Sequence, residues 1–96
     1  MDKIAFLLEE VRSCQDTEKM KSYLLLNKPG VALELAKSAY ATPEILERLT
    51  RHPSITVRHE VAKNKKTSPI TLKRLSQDKD MLVRDYARRN LLERAN

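Results

Sequence analysis

The chain is 96 residues long, 41% hydrophobic and 33% charged, with one Gly, four Pro, one Phe and no Trp, which excludes a disordered or sheet-rich protein and leaves one charged helical domain with a thin core. Its net charge is +6, but residues 1–47 hold six Lys/Arg against eight Asp/Glu and residues 48–96 hold thirteen against five, so the basic excess belongs to the second half; it fits the solvated Lys and Arg that short helices need to stay soluble first, and an anionic partner second. Cys14 is the single cysteine, which excludes an internal disulfide and any zinc or iron-sulfur site built on several Cys, and a reducing, cytoplasmic location without cofactors is expected.

In chain order, residues 1–14 read as an N-terminal cap helix. "DKIAFLLEEV" sets Ile4, Leu7, Leu8 and Val11 at i, i+3, i+4 and i+7, a single apolar face. Glu9, Glu10 and Arg12 break the apolar stretch that a signal peptide needs, and no apolar run approaches the roughly eighteen residues of a membrane span. No membrane partner is expected. "TEKMKSYLLLN" predicts a second helix with Met20, Tyr23 and Leu24 inward, followed by "VALELAKS" at 31–38.

Two clearer helix starts follow. In "TPEILERLT" and "SPITLKRLS", Thr42 and Ser68 stand as N-caps and Pro43 and Pro69 occupy the first turn, where no amide proton is required. Ile45, Leu46 and Leu49 in the first, and Ile70, Leu72 and Leu75 in the second, are the expected inward stripes. After the short links "RHPS" and "QDKD", Ser54 and Asp80 are suitable N-caps for helices carrying Val57 with Val61 and Val83 with Ala87 on one face. Leu91 and Leu92 extend the last helix and are expected to be buried over its last turn; the alternative is that one stays exposed as a homodimer contact through the C-terminal end.

These pieces repeat. Residues 41–66 lie over 67–92 without a gap, and Pro43/Pro69, Leu46/Leu72, Arg48/Arg74, Leu49/Leu75, Val57/Val83, Arg58/Arg84 and Asn64/Asn90 are identical pairs. Residues 15–40 are a degenerate copy that keeps Val31, Glu34, Leu35, Ala36 and Lys37 but lacks the proline. A 26-residue period predicts an all-α solenoid of about three stacked two-helix repeats (15–40, 41–66, 67–92), with a cap at 1–14 and a tail at 93–96 in one domain, because each unit must stack to bury its apolar face.

"TPEILERLTRHPSITVRHEVAKN" and its second copy resemble the leucine-rich repeat variant family, and the Val-Arg opening of the second helix is also similar to HEAT repeats. The resemblance implies a right-handed superhelix without a sheet, and it is specific for fold rather than function. Some family members carry an iron-sulfur cluster on cysteines outside the repeats, a feature not expected with Cys14 alone. By resemblance to HEAT repeats, Arg58 and Arg84 are expected to be structural, Arg58 reaching Asp78 or Asp80 of the adjacent unit.

Stacking turns equivalent positions into columns. Lys63, Lys65, Lys66, Arg88 and Arg89 fall at equivalent helix ends, where cations suit the helix dipole and where their density also fits binding of a partner or of phosphates. Catalysis has no support: His52 and His59 have no completing ligand set, Gly30 stands alone, and Cys14 has no histidine close in sequence. The sequence therefore predicts a non-enzymatic scaffold that binds another protein with an acidic surface through a basic face. The alternative is weak, sequence-tolerant nucleic-acid binding by the same strip, with little aromatic surface for base stacking.

Overall fold

The computed structural model describes residues 3–26 and 28–95, so the outermost residues of the expected cap and tail (1, 2 and 96) and Asn27 lie outside it. Described residues form helices and turns, with no strand among them. The elements are α1 (Lys3–Ser13), α2 (Thr17–Leu24), α3 (Val31–Lys37), α4 (Pro43–Leu49), α5 (Ile55–Lys63), α6 (Pro69–Leu75) and α7 (Met81–Ala95). No described helix is long and apolar enough to cross a membrane.

Local chemistry sets the helix starts. Asp16 caps α2 by accepting from the Glu18 and Lys19 amides. The Thr42 hydroxyl accepts from Ile45 N and the Ser68 hydroxyl from Thr71 N, with Pro43 and Pro69 as first helical residues. Ser54 accepts from Val57 N and the Asp80 carboxylate from Val83 N. Caps of this kind each contribute about 1 kcal/mol. The start of α3 is different. Gly30 precedes it at φ +86°, a left-handed conformation that favours glycine, and a Cβ there would lie 3.1 Å from the Leu8 methyl groups, which would have to give by a few tenths of an ångström.

Packing runs along two rows. α1 lies on α3, α3 on α5 and α5 on α7, while α2 and α4 sit beside them and α6 packs on α7. A single core joins Val11, Met20, Leu35, Leu46, Leu72 and Val83 through these layers, and the molecule measures 43 × 24 × 18 Å. The inward stripe of α6 differs from expectation: Ile70 is 73% exposed, and Thr71, 26 residues after buried Ile45, takes the inward place. Its hydroxyl is satisfied by Ser68 at 2.9 Å, so strict repeat spacing outweighs side-chain hydrophobicity at this position. In α1, Val11 is buried and Leu7 and Leu8 are half-buried, but Ile4 is exposed. At the far end Leu91 is half-buried and Leu92 is exposed.

Candidate functional site

Lys37 and Lys63 close α3 and α5, two helices that pack side by side. The chain leaves both in the same extended conformation, at Ser38 (φ −68°, ψ 131°) and at Asn64 (φ −71°, ψ 128°). Terminal helix carbonyls need donors from outside the helix. Asn64 supplies them: its side-chain amide donates to Ala36 O and Ser38 O, both at 2.9 Å. Asn90 repeats the arrangement one unit later, donating to Ala62 O at 3.0 Å and Asn64 O at 3.1 Å. Asn64 rivets the end of α3 to that of α5 and so brings Lys37 beside Lys63, while Asn90, inside α7, ties that helix to the end of α5.

The turn after α5 is equally constrained. Asn64 Oδ1 accepts from the Lys66 amide at 2.8 Å, and Thr67 Oγ1 donates to Val61 O at 2.7 Å. From α7, the Arg94 guanidinium donates to the carbonyls of Lys65 and Thr67. With its backbone polar groups engaged in this way, the turn presents Lys65 and Lys66 as exposed side chains on a fixed frame.

A groove of about 410 Å³ results, lined by Lys37, Lys63, Lys65 and Lys66 together with Ala36 and Ala39. Glu60 is the one acid on its wall, 3.4 Å from Lys63, whose ammonium also lies 5.5 Å from the Tyr86 ring centre. Lys37, Lys65 and Lys66 have no ion pair among the described residues. No aromatic side chain among the described residues lines the groove. The other two predicted cations lie outside it. Arg88 donates to Ser76 O at 3.1 Å, at the end of α6, and Arg89 is exposed on α7.

A second cluster holds the seam between α5 and the 78–80 turn. Arg58 donates through Nε and Nη2 to the Asp78 carboxylate at 3.0 and 3.4 Å, and through Nη1 to His52 O and Pro53 O at 2.9 and 3.1 Å. Arg58 and Asp78 are both largely shielded from solvent. His59 Nε2 lies 2.8 Å from Asp80 Oδ1, and its ring meets Tyr86 edge-on. The contact with His59, helped by the Val83 amide, holds the Asp80 carboxyl below the usual range. Near the N-terminus, the guanidinium of Arg12 pairs with Glu34 at 3.0 Å and lowers the Glu34 carboxyl, while burial pushes the Tyr23 phenol up.

Sequence reasoning aligned Asn64 with Asn90 but gave them no role, and it passed over Arg94 and the Arg12–Glu34 pair. The signal for the asparagines was their identity at one repeat spacing, with Asn64 just past the end of α5, where carbonyls lack donors. Arg94 lies beyond the repeat and left no comparable signal. Cys14 is buried with its Sγ 3.5 Å from Asp16 O, and among the described residues no group of three or more His, Cys, Asp or Glu is placed to hold a metal. No family model, curated protein or solved structure matches the chain.

Proposed function

We propose that the chain is a short right-handed α-solenoid of three two-helix units, akin to the leucine-rich repeat variant family, that acts as a non-enzymatic scaffold and grips an acidic segment of another protein in the lysine groove. The spacing of elements supports the solenoid reading: α2, α4 and α6 begin at residues 17, 43 and 69, and the Asn64 and Asn90 contacts recur at the same interval. The observation that carries the functional reading is the convergence of Lys37, Lys63, Lys65 and Lys66 on one groove with a single acid. Four ammonium groups at the ends of two riveted helices make a local field favouring carboxylates. Alanine walls and the lack of a stacking aromatic favour an acidic peptide over nucleic-acid bases.

The test is fluorescence anisotropy with a labelled Glu/Asp-rich peptide and with labelled single-stranded and duplex DNA, at about 50 and about 150 mM salt. The peptide should bind at both salt concentrations, and the Lys65→Glu/Lys66→Glu chain should bind it about tenfold more weakly or worse, since each exposed lysine–carboxylate pair contributes up to about 1 kcal/mol and its reversal adds repulsion. Stability should change by less than about 0.5 kcal/mol per site. DNA binding that persists at the higher salt and loses salt dependence in the double variant would replace the protein reading with the nucleic-acid one. Peptide affinity unchanged by the double reversal would reduce the groove to a solvated face.

A further inference from the structure

Arg58 and Arg84 occupy equivalent positions, and one arm of each does the same work. Arg58 Nη1 donates to the carbonyls of His52 and Pro53; Arg84 Nη1 donates to those of Asp78 and Lys79, at 2.8 and 3.0 Å. The opposite edge of the guanidinium separates them. In Arg58 it grips Asp78 at two points, whereas in Arg84 neither Nε nor Nη2 has a partner among the described residues. Arg84 is half-buried and pinned by its Nη1 bonds, so the open edge is held in place by the fold.

The seam on the other side supplies a control. There Ala32 stands 26 residues before Arg58, and His52 stands 26 before Asp78, both lining one groove. His52 keeps the local half of the acid's role: its Nδ1 accepts from Ser54 N at 3.0 Å, as Asp78 Oδ1 accepts from Asp80 N at 2.9 Å. The seam without arginine is also the seam without the carboxylate. At these two seams arginine and carboxylate occur together or not at all, whereas the open edge of Arg84 meets no carboxylate among the described residues.

The Arg58 seam also displays how a carboxylate is received. Ile55 lines the 630 Å³ groove with Arg58, Asp78 and Lys79, and it is 46% exposed. Met81, its equivalent beside Arg84, is 62% exposed. We propose that the open edge of Arg84, with Met81 beside it, is a second binding site, which takes the carboxylate of an Asp on an acidic turn of a partner protein, seated as the 78–80 turn is seated on Arg58 and Ile55. Asp78, Asp80 and Asp85 lie within six residues of Arg84, so the charge that selects an acidic partner is that of the open guanidinium edge itself; a second copy of this chain brings a further +6. This site is separate from the lysine groove and stands or falls independently of it.

The test follows the arginine Nε–Hε resonances of the ¹⁵N-labelled full chain during titration with an N-acetylated, C-amidated peptide carrying the order Gln77 to Asp80, against a control peptide with Asn for both Asp. The Arg84 resonance should move saturably with the acidic peptide alone, while Arg58, already occupied, stays in place. The Lys65→Glu/Lys66→Glu chain should give the same Arg84 response, which separates this site from the groove. In Asp78→Asn the Arg58 resonance should begin to respond as well. Movement of Arg84 no larger than that of exposed Arg89, or equal movement with the Asn peptide, overturns the site. A shift that tracks the chain's own concentration without peptide overturns the choice of a foreign partner in favour of a second copy.

Discussion

Residues 41–66 and 67–92 share seven identities at one spacing, yet the same side chains meet different fates. Arg58 is saturated by two carbonyls and a carboxylate; Arg84 has the two carbonyls only. The difference lies in what each guanidinium meets: the 78–80 turn brings a carboxylate to Arg58, and no described residue brings one to Arg84. A residue's identity in the repeat fixes what it offers, but the presence of a neighbour decides whether the offer is taken up. The same side chain should therefore contribute more to stability at position 58 than at position 84.

The largest expected effect tests this directly. Arg58→Ala leaves Asp78 as a shielded, unpaired charge and frees two carbonyls, and should destabilise by about 2 to 3 kcal/mol. Arg84→Ala loses only the carbonyl bonds and should cost about 1 kcal/mol. Urea unfolding of both variants would check the gap. Equal costs would mean that the Asp78 pair adds nothing, and that the two units are held alike despite their different surroundings.

Next in size are the asparagine rivets. Asn64→Ala and Asn90→Ala each remove two side-chain bonds to helix-end carbonyls and should cost about 2 kcal/mol. Ser38 holds the same column in the degenerate unit but only accepts from Tyr40 N at 3.0 Å, so Ser38→Ala should cost about 1 kcal/mol or less. Thermal melts of the three variants should rank in that order. A Ser38 variant as damaged as the other two would show that the column holds the helix ends by some means other than the amide bridge.

The all-helical architecture was legible because its signals are local. Thr42-Pro43 and Ser68-Pro69 combine a hydroxyl acceptor with a residue lacking an amide proton, and α4 and α6 start there. Ile70 misled because apolar character was read without the repeat: it lies 26 residues after Glu44, an exposed position, and Thr71 lies 26 after Ile45. The lysine columns could be aligned on paper, but the groove depends on Asn64 bridging two helix ends 26 residues apart in sequence, a long-range contact with no local signature. Arg94 crossing back to the 64–67 turn depends on α7 running past its repeat length, and no column position encodes it.

The smallest expected effects separate the two halves by pH. Asp80, in the last unit, and Glu34, near the N-terminus, both have carboxyl pKa values lowered in the folded state, the first mainly by the contact with His59 and the second mainly by the hydrogen bond from Arg12. A carboxylate held below its unfolded value stabilises the fold at pH above about 4 and loses that contribution as pH falls through the depressed value. Tyr23, raised by burial, works at the other end: the folded chain keeps the phenol protonated, and the benefit is lost as pH rises through and beyond about 10. Melting temperature should therefore hold steady between these limits and decline on both sides. Asp80→Asn keeps an acceptor for Val83 N while removing the charge, so it should flatten only its own share of the acid decline. Glu34→Gln should flatten the share that comes from the N-terminal half, and Tyr23→Phe should flatten the alkaline decline and leave the acid side unchanged. If Asp80→Asn and Glu34→Gln together leave the acid decline as steep as before, proton uptake elsewhere drives it, and neither the His59 contact nor the Arg12 pair contributes measurably to holding its end of the molecule.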